Sequence, residues 1–568
     1  MRCFSRLSET GLRVSNSLFF FEFPGIEKFE EAVVTPNSRS LPYYEARATR
    51  FDGSEVSYQM WDDLPIIRIS DDSEESLFSM NGEHWTIRAV RLNAFTDDVD
   101  TLTEVNEYNL FFRGIQKTLK ADILFFESTL TDEAFILISE TPYHVRGELS
   151  IKQNRQIRTS SPVVFKNGGY PVVIGACKKG ECEALCRNYL RHANNAKNLI
   201  TMSNTWGDCN GDSRVCEEFI YKEIETAKEI GVDIVQIDDG WQVGNTLYPI
   251  PRDEIGCRIF DDPCWDLNTE RFPNGIMPLS KFAEKQGIKI GMWFAPSSHN
   301  GFALLERDKA VMKKAYFEYG ARFFKLDMYR AKSKEETDKV LELIKYIYSL
   351  GDDVSVQMDV TRNDRLNYLC GREYGTVFVE NRYTKTANSF PHRVLRNLWD
   401  ICRYVPSNRF QFELVNPDLY KDSYYEGDPL APSLYDMDYL FSTVMLSNPL
   451  FWFELQHLSK ARKDELKKIM PVFCEHRERL ANADVMPIGE KPDGTSLTGF
   501  LVTIGNKAEY ILAFREFTER DEMEIKLKEM PGKVELLCSN ADVRTEANEG
   551  ALKISFSKPR AYAFLKLS

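Results

Sequence analysis

Short apolar runs of strand length recur through the middle of this chain, and each ends in a carboxylate or an aromatic residue. The clearest three are the segments 234–241 (IVQIDDGW), 288–294 (IKIGMWF) and 323–327 (FFKLD). A segment of helix length separates each run from the next, and this alternation predicts parallel strands joined by helices. Because parallel β/α barrels gather their polar chemistry at the carboxyl ends of their strands, the pattern predicts an active site there.

The strand–helix alternation extends over residues 196–482. It predicts eight strands, near 199–202, 233–237, 288–293, 321–326, 354–358, 376–379, 409–414 and 450–453. Eight strands over roughly 280 residues match an α/β fold of the (β/α)8 TIM-barrel type. A doubly wound sheet alternates in the same way, but no glycine-rich phosphate turn follows the first strand.

Both flanks of the predicted barrel are rich in short strand-like segments bounded by turn residues. A length of 568 residues is too great for a single core. We therefore predict three domains: an N-terminal β-sandwich with a linker helix over 1–195, the barrel over 196–482, and a small C-terminal β-sandwich over 483–568.

The composition argues against several classes of protein. A net charge of −14 argues against a nucleic-acid partner. The sequence contains no run of about 18 apolar residues, so we predict no membrane span. The N-terminus lacks the apolar stretch of a signal peptide. The twelve cysteines show neither a CxxC pair nor a disulfide framework. We therefore expect a cytoplasmic enzyme with neither a membrane nor a nucleic-acid partner.

A carboxylate beside a lysine marks the end of the fourth predicted strand. Hydrolysis of a glycosidic bond with retention needs two carboxyl groups about 5 Å apart, one of them an ionised nucleophile. Asp327 ends the strand, and Lys325, two residues earlier, points to the same side and favours the ionised aspartate. We predict that Asp327 is the nucleophile; the alternative is a buried ion pair that only closes the barrel.

Paired aspartates and several tryptophans are predicted to bind the sugar. Asp238 and Asp239 end the second strand, where carboxylates can accept hydrogen bonds from sugar hydroxyls, although adjacent residues face opposite ways. The alternative is a turn, which Asp-Asp-Gly also favours. The remaining predicted substrate-binding residues are Trp206, Trp241, Trp293, Lys325, Asp359 and Arg362.

The general acid/base is less sharply defined by the sequence. Glu380 ends the sixth strand and is our first candidate, and Asp359, at the end of the fifth, is the second. Asp364, Glu373 and Glu413 stay open, as does a site without an acid. The arginines of this region, Arg362 among them, could bind an acidic or heavily hydroxylated substrate or only balance the carboxylates.

Three motifs resemble those of the family 36 glycoside hydrolases, the α-galactosidase (melibiase) and raffinose-synthase relatives. They are Asp-Asp-Gly-Trp at 238–241, Gly-Met-Trp-Phe-Ala-Pro at 291–296, and Lys-Leu-Asp-Met-Tyr-Arg at 325–330. The second half of the barrel departs from the family pattern, with Met-Asp-Val-Thr-Arg-Asn at 358–363 and Val-Glu-Asn-Arg at 379–382. The sugar specificity of the family therefore does not transfer directly.

The resemblance implies a retaining exo-α-glycosidase that uses no metal and no organic cofactor, acts on an oligosaccharide or glycoside, and could form a homo-oligomer as relatives do. One alternative is a transglycosylase of the raffinose-synthase kind. The other is a carbohydrate-binding protein that has kept the fold and lost catalysis, which the altered sixth strand suggests.

Overall fold

The computed structural model describes residues 3–568 except 9–10, 72–74, 80–83, 95–100, 110–116, 152–161, 208–213, 245–249, 254–257, 261–262, 380–381, 506 and 549. Two compact units make up the chain. The first comprises residues 1–195, 330–338 and 362–374; the second comprises 196–329, 339–361 and 375–568. The boundaries predicted for three domains stay a prediction.

Antiparallel strands build the first unit. They are β1 (Phe4–Ser8), β2 (Gly11–Ser15), β3 (Phe20–Pro24), β4 (Ile26–Val34), β5 (Tyr43–Arg50), β6 (Glu55–Met60), β7 (Ile66–Asp71), β8 (Glu75–Ser79), β9 (Trp85–Leu92), β10 (Thr103–Asn109), β11 (Lys117–Ala121), β12 (Ile123–Ser128), β13 (Glu133–Ser139), β14 (Gly147–Ile151), β15 (Pro162–Lys166) and β16 (Val172–Lys178). The helix α1 (Cys182–Ala193) follows them.

Three sheets result from these strands. They have the orders β1-β2-β3, β10-β9-β12-β13-β16-β7-β6-β5-β4 and β11-β14-β15-β8. Leu124 and Phe126 of the nine-stranded sheet share one apolar core with Leu149 and Phe165 of the four-stranded sheet. Two sheets packed on a common core form the predicted sandwich.

A buried ionic cluster ties the segment 362–374 into the first unit. Glu140 accepts hydrogen bonds from Arg68 Nε at 2.8 Å and from Arg372 Nε at 2.5 Å, and the Tyr189 hydroxyl also donates to it. Arg372 is 2% exposed. Because removing one partner would leave a buried charge uncompensated, the cluster fixes this segment to its unit.

A closed barrel of eight parallel strands organises the second unit. Its strands are β17 (Met202–Asn204), β18 (Ile234–Ile237), β19 (Lys289–Phe294), β20 (Phe323–Leu326), β21 (Ser355–Asp359), β22 (Thr376–Phe378), β23 (Phe410–Leu414) and β24 (Asn448–Phe451). Met202 of β17 stands opposite both Ile234 of β18 and Leu450 of β24, which closes the barrel. The predicted fold class is confirmed.

Helices lie between the barrel strands and after the last of them. They are α2 (Glu217–Ile230), α3 (Met277–Lys285), α4 (Leu305–Phe317), α5 (Lys334–Tyr348), α6 (Pro391–Ile401), α7 (Met437–Ser442) and α8 (Lys460–Ala481), with short 3₁₀ helices at Thr384–Thr386, Ser407–Arg409, Lys421–Ser423, Pro432–Leu434 and Leu455–His457. Within the described residues, each helix is too short or too polar to traverse a lipid bilayer.

All eight predicted barrel strands overlap observed ones, but two boundaries matter for the site. The first strand lies later than predicted and includes Asn204, and the eighth ends at Phe451, so that Trp452 stands just beyond it. Side chains at strand ends face the barrel mouth, whereas those inside a strand face the core or the helices. Both residues therefore belong to the mouth.

The C-terminal part of the second unit consists of two antiparallel sheets. Their strands are β25 (Asp484–Gly489), β26 (Leu497–Ile504), β27 (Lys507–Arg515), β28 (Glu522–Lys526), β29 (Val534–Ser539), β30 (Val543–Asn548), β31 (Ala551–Phe556) and β32 (Ala561–Leu567). The sheet orders are β25-β26-β27-β32-β29 and β28-β31-β30. Ile511 and Leu565 of one sheet share a core with Ile525 and Leu552 of the other, as a small sandwich requires.

We expect Gly375, which leads into β22, to tolerate no side chain. Its φ of +54° is left-handed, and an added Cβ would lie 1.9 Å from the Val356 carbonyl oxygen of β21. Gly375→Ala should lower the free energy of unfolding by about 3 kcal/mol, through backbone strain and overpacking together. Gly287→Ala is the control, because φ there is +77° but nothing lies within 4 Å; strain alone should cost about 1 kcal/mol. Equal losses in urea unfolding would contradict this reasoning.

Candidate active site

One buried ammonium is shared by carboxylates from three barrel strands. Lys325 of β20 is 2% exposed, and its Nζ donates to Asp238 Oδ2 at 2.9 Å. The same Nζ lies 3.9 Å from Asp327 Oδ2, and the charge of Asp359, at the end of β21, also acts on it. The carboxyl ends of β18, β20 and β21 thus converge on a single cation.

These carboxylates keep Lys325 charged despite its burial. Burial alone would lower the pKa of Lys325, but the charges of Asp238, Asp327 and Asp359 together raise it above its ordinary value of 10.5. Aromatic rings add to this, with Nζ 4.8 Å from the ring centre of Trp452 and 5.7 Å from that of Phe378. Lys325 is therefore a fixed positive charge throughout the neutral pH range.

Asp327 is held from two sides and stays accessible. Its Oδ2 accepts a hydrogen bond from Trp293 Nε1 at 3.1 Å, and its Oδ1 accepts one from the Met328 backbone N–H at 2.5 Å. The side chain of Asp327 is 18% exposed, compared with 3% for both Lys325 and Asp238. It is thus a carboxylate that is oriented by donors and still open to solvent, as a nucleophile must be.

The residue after Asp327 has an unusual backbone. Met328 has a φ of +58°, in the left-handed region that residues with a side chain rarely occupy. This conformation costs about 1–2 kcal/mol and is the one in which the Met328 N–H meets the Asp327 carboxylate. Local strain at the end of β20 thus accompanies the orientation of the candidate nucleophile.

The two aspartates at the end of β18 have different surroundings. Asp238 is enclosed: Oδ2 accepts from Lys325 and from Asn204 Nδ2 at 2.7 Å, and Oδ1 accepts from the Asp239 N–H at 2.9 Å. Asp239 accepts from Gln242 Nε2 at 2.5 Å and is 6% exposed. Asp238 therefore anchors the lysine, and Asp239 is the more exposed of the pair.

A row of amides crosses the barrel interior behind Asp238. Asn204 Nδ2 donates to Gln236 Oε1 at 2.6 Å, Gln236 Nε2 donates to Gln357 Oε1 at 3.4 Å, and Gln357 donates to Gln411. Each amide donates in the same direction, so the orientation of one fixes the next. This amide row directs the Asn204 N–H onto Asp238.

The predicted tryptophans occupy different positions. Trp241 is 0% exposed, donates to the Trp293 carbonyl at 2.9 Å and stacks on Trp265, a placement that favours packing over sugar stacking. Trp293 is 1% exposed and holds Asp327. Trp206 follows β17 and is partly buried, and its backbone N–H donates to Asn204 Oδ1 at 2.7 Å.

The structure describes some of the acid/base candidates but not all of them. Glu380 lies outside the described residues. Asp359 is 2% exposed, and its Oδ1 accepts from the Thr361 N–H at 3.1 Å and hydroxyl at 2.7 Å. Glu413 is buried on β23. Arg362 belongs to the first unit, where its Nε lies 3.3 Å from Asp364 Oδ1.

Sequence reasoning missed three residues of this region. Asn204 and Trp452 were misassigned because the ends of the first and eighth strands were displaced. The third is Arg258. Burial lowers the pKa of Arg258, and the negative charges of Asp239 and Asp327 act to raise it, so Arg258 is a second cation close enough to interact with these two carboxylates. Its loop packs through Phe260 against Trp293, with ring centres 6.4 Å apart.

Sequence comparison finds α-galactosidases that match this chain over short stretches. The α-galactosidase Mel36A of Lactobacillus acidophilus is 32% identical over 73 residues, which are 13% of this chain and 9% of that protein. The α-galactosidase AgaA of Geobacillus stearothermophilus is 34% identical over 80 residues, 14% of this chain and 10% of that protein. The matches therefore span about a tenth of the length of these relatives, and no protein-family model matches the chain.

Structural comparison extends over nearly the whole chain. The glycoside hydrolase family 36 α-galactosidase AgaA of G. stearothermophilus superposes with a TM-score of 0.60 at 11% identity, covering 96% of this chain and 90% of AgaA. This chain has the family 36 α-galactosidase fold. An AgaA variant in complex with raffinose gives a TM-score of 0.63 at 12% identity, covering 98% and 91%. A β-arabinopyranosidase gives 0.50 at 13% identity, covering 95% and 91%.

The resemblance predicted from the three barrel motifs is thereby confirmed at the level of the fold. The same barrel carries Asp238–Trp241 at the end of β18, Trp293 on β19 and Lys325–Asp327 at the end of β20. The motifs of the sequence thus meet at one end of one barrel.

The shared ammonium leads to a prediction on stability. Asp238→Asn should lower the free energy of unfolding by about 3 kcal/mol, because the buried Lys325 loses its nearest opposite charge. The double variant Asp238→Asn/Lys325→Met removes the stranded charge and should recover part of the loss. The measurement is a double-mutant cycle in urea at pH 7; additive losses would contradict the pairing.

Proposed function

We propose that this protein is a retaining exo-α-glycosidase, similar to α-galactosidases, that acts on an oligosaccharide or a smaller glycoside. The observation that carries the proposal is the state of Asp327: a partly exposed carboxylate, held by Trp293 Nε1 at 3.1 Å and lying 3.9 Å from a buried ammonium. A purely structural ion pair gives no reason for this carboxylate to be six times as exposed as its partner, 18% against 3%.

In the proposed first step, Asp327 attacks the anomeric carbon of the α-linked sugar. The bond from that carbon to the leaving oxygen breaks as the bond to the carboxylate oxygen forms, giving a covalent glycosyl ester. Lys325 and the Trp293 N–H hold the carboxylate ionised and aimed before the reaction, so that little reorganisation accompanies the attack.

A second carboxyl group must protonate the leaving oxygen and then deprotonate the water that hydrolyses the ester. We propose Glu380 for this role. The alternative, Asp359, is 2% exposed and has one carboxylate oxygen bonded twice to Thr361, which restricts its reach to a leaving group.

The remaining charged groups are proposed to bind the sugar. Asp239 offers a carboxylate for a pair of hydroxyls, and Asp359 and Arg258 are further groups in the electrostatic surroundings of Lys325 and Asp327. Asp238 and Trp241 would act indirectly, through Lys325 and Trp293. Arg362, Trp206 and the cytoplasmic location remain predictions from the sequence.

The identity of the sugar calls for a direct screen. The similar solved structures include α-galactosidases, among them complexes with raffinose and with stachyose, and a β-arabinopyranosidase. We propose an α-galactoside as the first substrate to test. A screen of aryl glycosides that includes the α-galactoside and the β-arabinopyranoside distinguishes these two specificities. If neither glycoside is hydrolysed, other α-linked sugars should be tested next.

Asp327→Asn should lower kcat by at least about 10³-fold, since the amide cannot form the glycosyl ester. The control is Asp353→Asn, an isosteric change of a half-exposed carboxylate that precedes β21, at the opposite end of the barrel, and pairs with Arg322 at 2.6 Å. The control should retain nearly full activity. A tenth of the wild-type rate in Asp327→Asn with an unchanged fold would remove Asp327 as the nucleophile.

Glu380→Gln should slow substrates with poor leaving groups far more than activated aryl glycosides, because a good leaving group needs little protonation. We expect about 10²–10⁴-fold loss on the former and less than about tenfold loss on the bond-breaking step of the latter. Asp359→Asn, measured on the same pair of substrates, is the comparison. Equal losses on both substrates in Glu380→Gln would refute its role as acid.

Two alternatives are separated by simple measurements. In a raffinose-synthase-like transglycosylase, adding a sugar acceptor would divert the product from hydrolysis to transfer, and product analysis with and without acceptor reports the ratio. A carbohydrate-binding protein without catalysis would bind sugar but form no adduct. Mass spectrometry after a mechanism-based inactivator distinguishes it, since a glycosyl adduct on Asp327 requires a working nucleophile.

A further inference from the structure

Trp452 stands at the end of the eighth barrel strand, beside the shared ammonium. It directly follows β24, its backbone N–H donates to the Leu414 carbonyl at 2.9 Å, and it is 1% exposed. The Lys325 Nζ lies 4.8 Å from the centre of its ring. Trp452 therefore borders the group that links Asp238 and Asp327.

The ring of Trp452 is fixed in place by its neighbours. Phe378 and Tyr383 pack against it, with ring centres 5.1 and 6.1 Å away. A Cβ at Gly207, after β17, would lie 2.2 Å from the Trp452 carbonyl oxygen and 2.4 Å from its Cγ. Glycine at 207 is thus what allows the chain after β17 to approach Trp452 so closely.

The indole N–H of Trp452 is buried and has no hydrogen-bond partner among the residues that the structure describes. A buried donor without a partner costs about 1–3 kcal/mol. By contrast, Trp241 and Trp293 both donate their indole N–H, to a carbonyl and to Asp327. Within the described part of the chain, the indole N–H groups of Trp61 and Trp265 are also buried without a partner. Among the described contacts, however, the Lys325 ammonium lies over the ring of Trp452 and not over those of Trp61 and Trp265.

We propose that Trp452 is a substrate-binding residue whose indole N–H donates a hydrogen bond to an oxygen of the sugar held against Asp327. This inference rests on the proposed function. Nε1 belongs to the ring whose centre lies 4.8 Å from Lys325 Nζ, and that Nζ lies 3.9 Å from Asp327 Oδ2, so the ring and the nucleophile flank the same ammonium. Sugar hydroxyl and ring oxygens accept such bonds.

The unpaired donor gives the site selectivity as well as affinity. When the sugar binds, its oxygen restores the hydrogen bond that burial removed, so the penalty present in the free protein is offset. A ligand without that oxygen leaves the donor unpaired, and a site with a buried unpaired donor discriminates strongly against it. If Trp452 were only a packing residue, its N–H would stay unpaired in both states.

The test replaces the donor and retains an aromatic ring. Trp452→Phe in the full-length chain should weaken binding of D-galactose or 1-deoxygalactonojirimycin about tenfold in calorimetry, the equivalent of one hydrogen bond. On the aryl glycoside that the wild type hydrolyses, KM should rise by a similar factor with kcat within about twofold, because a ground-state contact is lost. Unchanged affinity and KM would overturn the proposal.

Two controls keep the result interpretable. Trp61 belongs to the first unit, and its indole N–H, like that of Trp452, is buried and has no partner among the described residues. Trp61→Phe should therefore leave the affinity for sugar unchanged. Should Trp452→Phe fail to fold, the benzothienyl analogue of tryptophan at position 452 retains the ring size and replaces the N–H by sulfur; equal affinity in that protein would overturn the proposal. Absence of both binding and turnover in the wild type would instead overturn the proposed function and this inference with it.

Discussion

The architecture of the barrel mouth depends on one buried positive charge. Lys325 is almost inaccessible to water, and an isolated ammonium there would be strongly destabilising. Asp238 offsets that burial by direct contact, and Asp327 and Asp359 contribute through their charges. Three strands must therefore end at the right depth and in register for the lysine to stay charged. The same requirement places an accessible carboxylate, Asp327, beside the cation that orients it.

Support for this charge extends below it into the barrel. The amide row of Asn204, Gln236, Gln357 and Gln411 fills the interior with groups that have only one consistent direction of donation. Apolar residues would fill the same space, but they would leave one oxygen of Asp238 with fewer donors. The polar interior therefore acts on the geometry of the site as well as on the packing of the barrel.

The barrel and its principal carboxylates were predictable from local patterns. Strand-length apolar runs ending in Asp238 and Asp327 gave the strand order, and the period of two along a strand placed Lys325 on the same side as Asp327. Element boundaries are less well determined, because apolar residues at the end of a strand and just beyond it look alike. An error of two residues made Trp452 part of the eighth strand and left Asn204 outside the first. The burial of Trp241 depends on Trp265, 24 positions later, and no local pattern contains that contact. Arg258 was missed for the same reason, since its neighbours come from other strands.

The chain leaves the barrel unit twice shortly after its chemically important strands. Residues 330–338, which begin three positions after Asp327, and residues 362–374, three positions after Asp359, fold as parts of the first unit. Within that unit Thr337 meets the Tyr170 hydroxyl at 3.0 Å, and Arg372 pairs with Glu140. A fragment that begins at residue 196 would contain the segments 330–338 and 362–374 but would lack the N-terminal sheets with which they fold. Domain exchange between relatives would thus have to move three separate stretches of sequence at once, so the N-terminal sheets and the loops downstream of the nucleophile are expected to evolve as one inherited block.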